Sequence, residues 1–179
     1  PLVALAGPDR EPVGADDLGG PPERHGRVSV VVDVGDGHLV AALAETPHRY
    51  VVSKGPQHEL IELAPNMTGA EFLPQPAILP HVDLVVTHAG NNTVTESIHF
   101  GKPMIVLPLF WDQYDNAQRL DETGFGVRLD TYAHAPEELT GAIERLLADE
   151  ALRARLAAVA SRLAAAPGTG AYGVPSVLA

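Results

Sequence analysis

The stretch Thr87-His88-Ala89-Gly90-Asn91-Asn92-Thr93 joins a run with buried-strand character to a run with helical character. At such a junction the first backbone N–H groups of the helix have no intrahelical partner, and the helix dipole places partial positive charge on them. Together they favour an anion, a phosphate above all. Gly90 allows backbone to approach a ligand closely, and the His88 imidazole can add a hydrogen bond to a phosphate oxygen. A second reading uses the same residues. Thr93-Val94-Thr95-Glu96 spells a capping box, in which Thr93 and Glu96 only satisfy the helix end. Asn91 and Asn92 are then turn formers. From this loop alone the two readings are balanced, and both can hold at once.

Other segments carry polar residues beside apolar runs. In Phe110-Trp111-Asp112-Gln113, Asp112 suits a helix N-cap. Alternatively, the Asp112 carboxylate and Gln113 amide stand side by side and can bind vicinal hydroxyls of a sugar. Phe72-Leu73-Pro74-Gln75 reads as a turn after a strand, and Gly35-Asp36-Gly37 as a flexible turn or a ligand approach. The remaining histidines, from His38 to His134, lack an i,i+4 zinc spacing with a partner glutamate. No acidic cluster has the look of a Mg²⁺ site.

The elements that must position these residues follow from periodicity and breakers. Strands are expected at 27–34, 49–52, 70–74, 83–88, 103–109 and 126–129, each short and apolar. Helices are expected at 38–45, 58–64, 92–100, 112–124, 136–150 and 151–166, with a brief helical or turn segment at 77–82. Gly101 and Gly124 stop two of them, and Pro136 suits a first helical position. Strands alternating with helices predict a doubly wound parallel sheet of Rossmann type. Ligands in such sheets sit beyond the carboxyl ends of the strands. The loops after Val34, Phe72, Val86 and Leu109 should therefore gather.

Length and composition narrow the classes. The 179 residues suit one domain, expected over 28–166. Residues 1–27 carry five prolines and read as a linker or disordered tail, not a signal peptide; residues 167–179 read as an irregular tail. The first residue is proline, compatible with a processed Met-Pro start or with a fragment. A net charge of −11 argues against a nucleic-acid or membrane-surface binder, which needs a basic face. Zero cysteines exclude disulfides, thiolate zinc sites and cysteine nucleophiles. No apolar stretch reaches the roughly 18 residues of a spanning helix, so a cytoplasmic location is the default.

From about Val51 to Ala166 the chain resembles the C-terminal, donor-binding half of the GT-B glycosyltransferases of the UDP-glycosyltransferase superfamily. It is most similar to the bacterial macrolide-glycosyltransferase-like members. The resemblance is carried by RYVVSKGP (49–56), FLPQPAILPHVDLVVTHAGNNTVTESIHFGKPMIVLPLFWDQYDNAQR (72–119) and TGFGVRL (123–129). It implies a UDP- or dTDP-sugar as co-substrate, transfer of a hexose to a small-molecule hydroxyl, inversion at the anomeric carbon, and no metal or other cofactor. By matching position, Gln75 lies against the base and His88 contacts the diphosphate. Gly90, Asn92 and Thr93 face the phosphates, Glu96 binds ribose hydroxyls, and Asp112 with Gln113 holds the donor sugar. Three departures stand out. Ala89 fills the first of two family glycines, where its methyl is expected to crowd the backbone. Asp36 replaces a small polar residue and would repel a diphosphate at short range. The last helix gives way to PGTGAYGVPSVLA.

The acceptor half, which supplies the family's catalytic histidine, has no counterpart in these residues, so the catalytic base is unknown. Three functions are weighed. The first is a donor-binding half acting with an acceptor domain that is upstream or on another chain. The second is a non-catalytic sugar-nucleotide binding module or truncated remnant. The third, a different Rossmann enzyme such as a nucleotide-sugar epimerase, fits the ordered block least.

Overall fold

The computed structural model describes residues 29–33 and 38–166. The expectations for residues 1–27, for the Gly35-Asp36-Gly37 loop and for the tail from 167 lie outside the described residues. The strands are β1 Ser29–Asp33, β2 Arg49–Ser53, β3 Met67–Ala70, β4 Leu84–Thr87, β5 Met104–Val106 and β6 Gly126–Arg128. The helices are α1 His38–Leu43, α2 Gln75–Ile78, α3 Asn91–His99, α4 Asp112–Thr123, α5 Pro136–Ala148 and α6 Glu150–Ala165.

All strand pairs are parallel, in the order β3-β2-β1-β4-β5-β6. The chain works outward from β1 to one edge, returns to the other side of β1 with β4, and works outward again. The strand order therefore reverses between β1 and β4. A crevice opens at the carboxyl ends of strands at such a switch point.

Sequence alternation decides which residues build each face. Successive strand side chains point to opposite sides, so a wholly apolar strand buries both. Every residue of β4 and β5 is buried. Val52, Leu84, Val86 and Ile105 pack with Leu39 and Leu43 of α1, Leu139 and Ile143 of α5, and Leu152 and Leu156 of α6. Their neighbours Val51, Val85, Met104 and Val106 face the other way, against Ile78, Leu79, Val94, Ala117 and Leu120. Helices thus cover both faces, which is the doubly wound α/β arrangement expected.

Several boundaries differ from expectation. The third strand is 67–70, not 70–74. Met67-Thr68-Gly69-Ala70 lies at the sheet edge with half-buried residues, so its alternation is muted, and register with β2 (Tyr50 beside Met67) sets its place. The expected helix at 58–64 is a 3-10 segment, Gly55–Leu60, whose carbonyls at His58 and just beyond at Ile61 accept from Lys54 Nζ. The segment at 77–82 is α2 followed by a 3-10 turn, Leu79–His81. The helices expected at 136–150 and 151–166 divide at Asp149, whose carboxylate accepts from Leu152 N–H at 2.8 Å and caps α6. Gly124 closes α4 as expected, in the left-handed conformation at φ 63°.

The amino ends of the strands are tied by polar contacts. Buried His48 shares a 2.7 Å hydrogen bond with Glu144 of α5. Asn66 Nδ2 donates to the carbonyls of Leu43, Thr46 and His48 at 3.0, 3.2 and 3.3 Å. These groups lie at the end of the sheet opposite the switch-point crevice.

Candidate functional site

β4 ends at Thr87, and three residues lead into α3. Leu107 N–H donates to Thr87 O at 2.9 Å, so the β5 exit stays beside the β4 exit. Ala89 takes φ 66°, and Gly90 follows with φ −60°, ψ 144° as the helix N-cap. The first helical turn closes with Val94 N–H on Gly90 O at 3.0 Å. The N–H groups of Asn91, Asn92 and Thr93 precede that closure and sit at the positive end of the helix dipole.

No side chain caps this helix. The capping-box reading is therefore corrected: a box needs Thr93 at the N-cap, and Thr93 is the third residue inside the helix. Its hydroxyl instead lies 3.4 Å from Gln75 Oε1, at the start of α2. The starts of α2 and α3 are thereby neighbours. Gln75 Nε2 is buried without a hydrogen-bond partner in the protein.

The expected role of Asp112 as N-cap is also corrected. Trp111 holds that position, at φ 49°, and Asp112 is the first helical residue and exposed. Gln113 Oε1 accepts from Leu109 N–H at 2.8 Å and Phe110 N–H at 3.3 Å. Two N–H donors fix the orientation of that amide, so its NH₂ is the end left for a ligand. Phe110, Trp111 and Tyr114 are exposed aromatics around the pair.

The Ala89 methyl is taken up by the core. Ala89 is fully buried and packs in the core formed by Val85, Val94 and Met104. Its cost is backbone conformation instead, roughly 1–2 kcal/mol for a left-handed residue that carries a Cβ. Asn116 Nδ2 donates to Ala89 O at 3.0 Å. A net hydrogen bond is worth about 0.5–1.5 kcal/mol, so this contact offsets a cost of similar size. Asn116 was not legible as a site residue. The available signal was its place one helical turn after Asp112, on the same face of α4.

Glu96 lies one turn into α3, on the face shared with Asn92 and Thr93, and is half-buried. Burial raises its carboxyl pKa above the ordinary value. A carboxylate held partly out of water gains most from hydroxyl donors. His88 is half-buried just after β4. Gln75, the 88–96 segment and the 109–116 segment are thus joined by hydrogen bonds or chain continuity at the carboxyl edge of the sheet. The fourth expected segment, after Val34, is outside the described residues. Among the described residues no three His, Asp or Glu side chains are grouped to hold a metal ion.

The family model for UDP-glucoronosyl and UDP-glucosyl transferase matches residues 28–163. The chain belongs to this family. UDP-glucuronosyltransferase 3A2 of Mus musculus is 34% identical over 105 residues, which is 58% of this chain and 20% of that protein. The solved glycotransferase of kitacinnamycin superposes with a TM-score of 0.72 at 27% identity, over 83% of this chain and 42% of that one. The glycosyltransferase VinC, solved in complex with dTDP, gives 0.68 at 26% identity, over 84% of this chain and 40% of that one. This family member therefore spans about a fifth of that curated relative and about two fifths of those solved chains. Its fold is one Rossmann-like half of a GT-B glycosyltransferase, and the partial coverage fits the C-terminal half. No helix among its described residues is long and apolar enough to cross a membrane.

Proposed function

We propose that residues 28–166 are the donor-binding domain of a glycosyltransferase that moves a hexose from UDP- or dTDP-sugar to an acceptor hydroxyl. The observation that carries this reading is the α3 start. It is uncapped by side chains, lies at the switch point of the sheet, meets Gln75 through Thr93, carries Glu96 one turn in, and is tied through Asn116 to α4, the helix that Asp112 and Gln113 open. VinC, a relative by fold, was solved with dTDP. In this reading the diphosphate faces the amides from Gly90 to Thr93 and His88. Glu96 accepts from ribose hydroxyls, Gln75 lies toward the base, and Asp112 with the Gln113 NH₂ holds the sugar.

The chemistry follows from where charge develops. As the glycosidic bond breaks, negative charge grows on the departing diphosphate. Preorganised amides at a helix start stabilise it without reorganising. Dipoles and His88 thereby take a part that a divalent cation plays elsewhere, so the transfer is proposed to be metal-independent. The acceptor oxygen attacks from the opposite face and inverts the anomeric carbon. Its proton goes to a base on an acceptor domain, upstream or on another chain, in the cytoplasm.

Calorimetry with UDP and dTDP tests the proposal. One of them should bind, and Glu96→Ala should weaken it by about 1.5–3 kcal/mol, the worth of hydrogen bonds to a charged group. Hydroxyl donors lower the raised Glu96 pKa in the complex, so wild-type affinity should rise as pH rises through it. The alanine variant should lack that slope. Absence of heat with both nucleotides, or equal affinity in the variant, rejects the assignment.

A further inference from the structure

We infer that Asn116 is the positioning residue for the β4–α3 loop, and that the chain depends on it because residue 89 is alanine. This rests on the proposed reading of that loop as the phosphate-facing one. Ala89 sits at φ 66°, where a Cβ is disfavoured, and only a glycine would be at ease. Its methyl is fully buried, so the residue cannot swing outward without unpacking the core. Its carbonyl is held by Asn116 Nδ2 at 3.0 Å. The next residue, Gly90, is the N-cap of α3 and receives no side-chain cap.

Return of Ala89 to negative φ would turn its carbonyl from Asn116 and re-aim the Gly90 N–H with it. The hydrogen bond opposes that return. It also makes one rigid unit of two parts of the site. Asp112 and Gln113 open α4, Asn116 is one turn further on, and Gln113 Oε1 is anchored to the chain leaving β5. The sugar-facing helix and the phosphate-facing loop are thus set against each other through Asn116. Glycine at 89 would hold the left-handed turn unaided, so the need for Asn116 should vanish in Ala89→Gly.

The test compares the full 179-residue chain with Asn116→Ala, Asn116→Asp, Ala89→Gly and Asn116→Ala/Ala89→Gly. Asn116→Asp keeps the side-chain size but cannot donate when ionised. Two quantities are read: affinity by calorimetry for whichever of UDP and dTDP the unaltered chain binds, and φ of residue 89 from backbone NMR couplings and chemical shifts. Asn116→Ala and Asn116→Asp should move residue 89 out of the left-handed region and weaken binding of that nucleotide on the order of tenfold, while the double variant returns to within about threefold. A left-handed Ala89 in both Asn116 variants overturns the inference, as does a double variant no better than Asn116→Ala. If no chain binds UDP or dTDP while residue 89 still moves, the donor-site reading falls and the pin by Asn116 is supported.

Discussion

Gly90 sits at φ −60°, an angle any residue adopts, and a Cβ there would meet nothing within 4 Å. Neither conformation nor packing within the protein asks for glycine. A ligand lying against the loop would ask for it. Gly90→Ala should leave the melting temperature unchanged or slightly higher, because alanine narrows the unfolded ensemble by about 0.4–1 kcal/mol. The same variant should weaken nucleotide binding severalfold in calorimetry. Unchanged affinity would show that nothing approaches this face. At this scale, residue types were legible and conformations were not. His88, Gly90 and Glu96 stood out by position around a strand-to-helix junction. The left-handed Ala89 and the Asn116 contact that holds it did not. They join residues 27 positions apart, and periodicity carries no information about such a pair.

Elements behave differently because their signals are local. β4 and β5 were legible from continuous apolar runs, and α5 from Leu139, Ala142, Ile143 and Leu146 at helical spacing. Edge elements were not. β3 has half-buried residues and a glycine, and its place depends on β2 beside it. The α5–α6 division was misplaced by two residues at one end because Asp149 looked like part of α5, whereas it caps the start of α6. That cap carries weight beyond α6. Leu156 of α6 is fully buried, and α6 packs behind α3, the helix that opens the site. Asp149→Ala should cost about 1 kcal/mol of stability. For a domain of this size that is a fall of roughly 3–5 °C in thermal unfolding. An unchanged transition would mean that the Asp149–Leu152 contact adds nothing to the fold.

At the scale of the whole molecule, a net charge of −11 and the proposed diphosphate site look opposed. Screening settles the matter. At physiological salt the Debye length is about 8 Å, so distant carboxylates count little against amides in direct contact with an anion. Parallel topology also separates duties. Polar ties such as His48–Glu144 and Asn66 occupy the amino ends of the strands, and the candidate site occupies the carboxyl ends. This separation makes one measurement decisive: backbone amide NMR of the full chain, titrated with UDP and separately with dTDP. Binding as proposed should shift the amides of Gln75, His88 to Glu96, and Asp112 to Gln113, and leave His48, Asn66 and Glu144 in place. Shifts centred on the amino ends, or none with either nucleotide, would contradict a donor site at the β4–α3 junction.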